Sequence, residues 1–422
     1  MDNKRHHIIP YVIFMVLLLN SMATFLVYNL GRDPLVSSIS SGLMLIVLFG
    51  FIMANLQEIY LGRTGYCIKL ILPWIFFMWL TSVGLLARYP FRETLRAVCF
   101  QSGPLLMFLC FFMQGKNCTA RNFKANQRLF FILTLVTVYF FSYELVMGQK
   151  YSADFMAIGH VLYLTMLLPW ISILNNKVLK YILLIGLSCL ALFSMKRSAL
   201  LQISIGGFFY VLIQNTIVEQ RKRILYFFLT PLALLGLYLI ISYVDVSASG
   251  ALLERVRHFR LDRGSSRLVI WADLWGQYKT WPLINQVFGK GYYITRELLW
   301  KYEAHNDFIE ALLAYGAIGF LANIFFSIYL SIKAAGMVLR RHPYAASFVF
   351  GVISFLIISM VSYNLYAMIW SLYLLAFLGY ICGIDQQEIH VCTFYDELNT
   401  MDPNSADEED WFYSDQYPLE IR

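Results

Sequence analysis

Long apolar runs alternate with short polar connections along most of this chain, and the length of the runs decides the element type. A helix needs roughly 20 apolar residues to cross a bilayer core of about 30 Å. Runs of about that size occupy residues 8–30, 38–56, 69–87, 97–114, 129–147, 157–175, 181–195, 199–218, 225–243, 313–332, 345–362 and 365–383. A membrane barrel would instead show alternating strands of about ten residues, because open backbone cannot be solvated in lipid. The pattern predicts an all-α polytopic membrane protein with about 12 transmembrane helices. Residues 1–243 hold helices one to nine, and 244–304 form one long hydrophilic loop. Helices ten to twelve fall in 305–383, and 384–422 are a polar tail.

Composition agrees: 59% of the 422 residues are hydrophobic and 14% charged, outside the range of soluble domains. A cytoplasmic N-terminus, with Lys4 and Arg5, puts Arg63, Lys69, Lys116, Arg121, Lys124, Arg128, Lys177, Lys180, Arg221, Lys222, Arg223, Lys333, Arg340 and Arg341 in inside loops. This satisfies the positive-inside rule. Arg88, Arg92 and Arg96 form a local exception on the outer side. The first run is long enough to span and lacks a small-residue cleavage site, so a signal anchor is expected. The seven cysteines show no C-x-x-C spacing, which indicates neither a disulfide framework nor a metal site. The absence of a P-loop or G-x-G-x-x-G argues against a nucleotide-driven machine.

The tail from Ile384 carries eleven of the 26 acids, beginning with Asp385, and one of the 33 bases, leaving 32 bases against 15 acids in the rest. The tail reads as a disordered, solvated cytoplasmic extension. The basic remainder suits anionic head groups or an anionic lipid-linked ligand.

On this topology the 244–304 loop lies on the outer face. Arg255, Arg257, Arg260, Arg263 and Arg267 fall within thirteen residues, on the side where bases are usually sparse. A planar guanidinium offers paired donors that match phosphate oxygens, so the cluster points to a phosphate or pyrophosphate ligand. Lipid head groups, or the loop acids Glu254 and Asp262, are the alternative partners. His258 lies among these arginines as a second candidate participant. From Arg267 onward, Ile270, Trp271, Leu274, Trp275 and Tyr278 recur at helical spacing, predicting an amphipathic helix at the membrane interface that ends before Pro282. Trp and Tyr suit that depth, with rings buried and polar tips wet. The two glycines of VFGKGYY, Val287 to Tyr293, permit a tight turn against a ligand or another helix.

The stretch AHNDFIEALLAYGAIGF, Ala304 to Phe320, then sets polar groups at the mouth of an apolar run. Asp307 with Glu310 fits the N-cap and N3 pair of a capping box, placing His305 just before the helix. An imidazole beside a helix N-terminus meets partial positive charge, which favours its neutral form, the form a general base requires. Gly316 and Gly319 allow close approach of a neighbouring helix. A second feature on the outer side is FSMKRSALLQ, in which Lys196 and Arg197 separate two apolar segments. Arg197 there either makes a turn with head-group contacts or holds an anionic partner.

Together, SMKRSALL, then SSRLVIWADLW followed by WPL and FGKGYY, then HNDFIEALLAYGAIG resemble the O-antigen ligase and polysaccharide polymerase superfamily of C-type (GT-C) membrane glycosyltransferases. The resemblance implies a large periplasmic loop and transfer of a glycan from undecaprenyl pyrophosphate to an acceptor sugar hydroxyl. No metal, cofactor or nucleic acid is expected. By position it implies His305 as base, Arg267 as catalytic pyrophosphate ligand, and Arg197 with one of Arg255, Arg257, Arg260 or Arg263 in further pyrophosphate contacts. Asn306, Trp271 and His258 would line the substrate. Ala314 and Tyr315 stand before Gly316 where ligases often carry an acid, which favours a polymerase acting on another lipid-linked repeat unit. The alternatives are a ligase with lipid A–core as acceptor and a lipid-linked oligosaccharide flippase. The partners implied are the lipid-linked glycan, an acceptor glycan or glycolipid, membrane lipids, and a chain-length regulator or flippase, in a bacterial inner membrane with the site facing the periplasm.

Overall fold

The computed structural model describes residues 34–61, 64–151, 164–192, 197–218, 267–299, 304–362, 365 and 372–387. Within these, the side chains at 34–38, 92, 120–121, 137, 140–151, 192, 197 and 217–218 are not described. The spans expected at 8–30 and 225–243, the start of 157–175 and the tail beyond 387 lie outside the described residues, as do Arg255, Arg257, His258, Arg260 and Arg263.

All regular structure among the described residues is helical. In chain order the helices are α1 (Pro34–Ala54), α2 (Leu56–Leu61), α3 (Tyr66–Val83), α4 (Phe91–Lys116), α5 (Ala120–Tyr151), α6 (Leu168–Ser172), α7 (Lys177–Leu192), α8 (Arg197–Leu201), α9 (Gly207–Ile213), α10 (Arg267–Lys279), α11 (Leu283–Phe288), α12 (Ile294–Leu298), α13 (Asp307–Leu339) and α14 (Ala345–Val361). A fifteenth helix, α15, covers 372–387. Among the described residues, four stretches are long and apolar enough to cross a membrane: Tyr66–Ala87, Glu93–Lys116, Ser198–Thr216 and Asp307–Leu339. This is a helical membrane protein.

The core runs along α4. Helices α1 and α3 pack against it, and α15 crosses it backbone to backbone. That crossing needs small residues: a Cβ on Gly379 would lie 2.1 Å from Phe108 O, and one on Gly383 would lie 2.1 Å from Phe112 O. Four-residue spacing of small residues is the usual solution for close helix approach in lipid. Trp170 of α6 stacks on Phe130 of α5 at 3.5 Å and donates from Nε1 to Tyr373 O at 2.7 Å, tying α5 and α6 to α15.

Asp385, the first acid assigned to the solvated tail, belongs to α15 instead. It is 1% exposed and pairs with Lys333 at 3.0 Å and with Arg340, both near the end of the α13 region. Two cations at the end of one helix neutralise a buried carboxylate on its neighbour, so the helix runs on beyond the apolar run.

Candidate active site

Helix α13 begins where the sequence pattern placed it, but its cap is one residue earlier than expected. Asn306 is the N-cap: its backbone is extended, and Oδ1 accepts from Phe308 N at 2.9 Å and Ile309 N at 3.1 Å. A cap residue must be non-helical while its side chain reaches the first free amides. Asp307 is already helical and accepts from Leu365 N at 3.2 Å through Oδ2, so it cannot serve as the cap.

Glu310 reaches back past the cap. Its Oε1 accepts from Ala304 N at 2.8 Å, and its Oε2 from Thr295 Oγ1 at 2.6 Å. On the other side of the same residue, Trp271 Nε1 donates to Ala304 O at 2.7 Å. Ala304 is therefore buried with both backbone groups bonded, and Asn306 is fixed by the helix it caps. Between these two clamps His305 adopts φ 51, in the left-handed region. Such a conformation costs a β-carbon residue of order 1 kcal/mol or more and persists only when its surroundings over-determine it. Here they do, from both flanks, and His305 is left half-buried at the helix mouth.

Arg267 opens α10, and its Nη1 donates to Val361 O at 2.6 Å. Asn306 Nδ2 donates to the adjacent carbonyl, Met360 O, at 3.0 Å. Both carbonyls belong to the last turn of α14, whose final C=O groups have no partner inside the helix and whose dipole favours a cation. Arg267 and Trp271, one turn apart on α10, thus hold the end of α14 and the residue before His305. Three helices meet around that histidine.

The apolar stripe of α10 faces the protein more than the membrane interface. Leu274 and Tyr278 are buried with Trp281, Ile294, Ala304, Leu312 and Leu313. Tyr278 Oη also donates to Gln286 O at 2.8 Å. Trp275 remains half exposed, with Lys279 over its ring. The stripe supplies the small core on which the His305 segment rests.

The two glycine motifs turn out to be partners. Helix α13 breaks at Gly316, with φ 67 and ψ −160, and the break frees carbonyls one turn earlier. Lys290 N bonds to Leu313 O and Gly291 N to Ala314 O, each at 3.0 Å. A Cβ on Gly289 would lie 2.2 Å from Ala314 O, and one on Gly316 would lie 2.3 Å from the Val287 carbonyl carbon. Only glycine fits either side of this backbone contact.

Arg88, the first of the exceptional bases, also acquires a role. Tyr89 donates to Glu297 of α12, Arg88 lies 3.9 Å from the same carboxylate, and Tyr293 Oη donates to Glu93 O at 3.0 Å. Arg296 lies over the Tyr293 ring. The Arg88–Arg96 connection is a landing pad for the long loop.

Arg197 opens α8, at the head of the Ser198–Thr216 span, but its side chain is not described. Among the described residues no group of three His, Cys, Asp or Glu side chains is placed to hold a metal ion. Sequence reasoning missed the bracing roles of Glu310, Thr295 and Trp271. The one signal for them in the sequence was the capping-box pairing of Asp307 with Glu310, which already gave Glu310 a backward reach.

No curated protein matched the sequence. Residues 182–324 match the model of the Wzy_C family, described as O-antigen ligase, a region that contains Arg197, Arg267, Trp271, His305, Asn306 and the Gly316 break. Over that region, about a third of the chain, the sequence is similar to the O-antigen ligase/polymerase superfamily.

Proposed function

We propose that this protein is a membrane glycosyltransferase, a polysaccharide polymerase that moves a glycan from undecaprenyl pyrophosphate to a sugar hydroxyl of another lipid-linked repeat unit. The observation that carries the reading is the bonding of Arg267 and Asn306 to neighbouring carbonyls, Val361 O and Met360 O, with His305 beside Asn306. In the proposed step the acceptor hydroxyl oxygen bonds to the anomeric carbon while the bond from that carbon to the phosphate oxygen breaks. His305 takes the hydroxyl proton, and the electron pair leaves with the pyrophosphate. Negative charge then develops on the leaving group, where fixed guanidinium groups such as Arg267 stabilise it. One displacement inverts the anomeric configuration and needs one base, not the paired carboxylates of a glycosidase. Arg197 and one of the upstream loop arginines complete the anion site in this reading, with Trp271 and Asn306 beside the sugar and the site facing the periplasm.

The test is transfer by the purified chain in vesicles loaded with lipid-linked glycan. His305→Ala should abolish elongation, and Arg267→Lys should lower it on the order of 100-fold, since an ammonium cannot reproduce a paired guanidinium contact. Full transfer by His305→Ala would overturn the mechanism. Relocation of the glycolipid without a new glycosidic bond would show a flippase, and transfer only to lipid A–core would show a ligase.

A further inference from the structure

The sequence pattern puts the connection between α10 and α13 wholly outside the bilayer, yet the end of α11 sets Phe288 beside the middle of a membrane span. Helix α3 and its final turn form the 22-residue stretch Tyr66–Ala87, and Phe77 stands near its centre. The Phe288 ring, at the end of α11, lies 6.3 Å from the Phe77 ring. Three residues later the chain has climbed, and Gly291 faces Leu85 near the end of the span. On the other side, Gly289 abuts Ala314, and the neighbouring Tyr315 packs edge-on to Trp74 of α3 at 5.4 Å.

At that depth an irregular backbone survives only if its polar groups are bonded to protein. The turn after α11 meets this condition. Gly289 N bonds to Asn285 O at 2.9 Å, and Lys290 N and Gly291 N bond to the carbonyls freed by the Gly316 break. Gln286 turns its amide back to Trp281 O at 2.9 Å. Lys290 lays its ammonium over the Trp281 ring at 4.2 Å. The outward face, by contrast, is apolar: Leu283 is 76% and Ile284 67% exposed, comparable with Leu80 at 72% and Phe76 at 55% on α3.

We infer that Leu283–Phe288 is a re-entrant element whose exposed side chains, Leu283, Ile284 and Phe288, sit among the acyl chains of the bilayer, continuous with the lipid-facing side of α3. The loop that braces His305 is thereby anchored within the leaflet rather than resting on its surface. Burying Leu283 and Ile284 in hydrocarbon stabilises the docked loop and with it the glycine contact at the break in α13.

The native chain tests this without substitution. It is reconstituted in vesicles containing a phospholipid with a diazirine on its acyl chain, illuminated, and its adducts are mapped by mass spectrometry. Adducts on Leu283 and Ile284 should form at a frequency within about threefold of those on Phe76 and Leu80. Hydroxyl-radical footprinting from the aqueous phase should oxidise the exposed Trp275 but spare Leu283 and Ile284. The inference is overturned if α11 carries no adducts while Phe76 and Leu80 do, whether radicals reach it, as for a segment in water, or do not, as for one covered by a protein partner. Neither readout depends on catalysis, so the outcome stands apart from the proposed activity.

Discussion

Arg267 and Asn306 donate to consecutive carbonyls of one helix end, Val361 O at 2.6 Å and Met360 O at 3.0 Å. Residues 39 positions apart in sequence are thereby held one peptide apart in space. Asn306 does two jobs, accepting from the first turn of α13 and donating to α14. Asn306→Asp keeps the acceptor but sets a carboxylate oxygen against Met360 O, so both the unfolding temperature and glycan transfer should fall. Asn306→Ala should lose the cap, at about 1 kcal/mol, with a lower unfolding temperature. Transfer at the native rate by either variant would detach this residue from the site.

Glu310 is an acceptor for two donors, Ala304 N and Thr295 Oγ1, and a glutamine side chain offers one acceptor oxygen in place of two. Glu310→Gln should lower transfer about tenfold through misplacement of His305, an effect of about 1.4 kcal/mol. Thr295→Val should cost less, because the bond to Ala304 N remains. The double variant should be little worse than Glu310→Gln alone, since both changes remove parts of one network. Additive losses in that double-mutant cycle would refute the coupling.

Gly289 and Gly316 both hold positive φ, and each would drive a Cβ into the backbone of the other's segment. Gly289→Ala and Gly316→Ala should each destabilise by about 1–3 kcal/mol or more, read as reduced folded yield and a lower unfolding temperature in detergent. Gly186 on α7 provides the contrast, because a Cβ added there would meet no atom within 4 Å. Alanine at that position should be neutral or stabilising by up to about 1 kcal/mol.

The landing pad carries a pH signature. Burial, then the hydrogen bond to Glu297, pushes the Tyr89 phenol from 10.0 up to about 12, and burial followed by the Glu93 charge raises that of Tyr293. A phenol whose folded pKa exceeds its unfolded value keeps a proton that the unfolded chain has released. Its contribution to stability is complete below pH 10 and is lost as pH rises to about 12. Hydrogen exchange over 292–298 should accelerate across that window. The difference titration of Tyr89→Phe against the native chain isolates the Tyr89 midpoint, and Glu297→Gln should move that midpoint down toward 10.0.

Sequence periodicity located the described spans because lipid imposes a length and an apolar composition that no neighbour can override. The start of α13 and the helix at Arg267 were legible for the same local reason. The cap lies one residue from its expected place because Asn306 and Asp307 are both good caps, and the choice fell to the distant Leu365 N and Met360 O. Asp385 looks like tail in the sequence because its partners, Lys333 and Arg340, lie more than forty positions away.

By itself, then, the sequence determined a helical membrane protein with a polar, arginine-bearing loop leading to His305, since hydropathy and local capping are properties of contiguous residues. Only the tertiary structure decided that Trp271 and Glu310 grip Ala304 from opposite sides, that the two glycine motifs meet at the break in α13, and that Phe288 lies beside Phe77. Those contacts join segments far apart in the chain. Whether a buried amide or a freed carbonyl finds its partner there depends on packing, which no local pattern encodes.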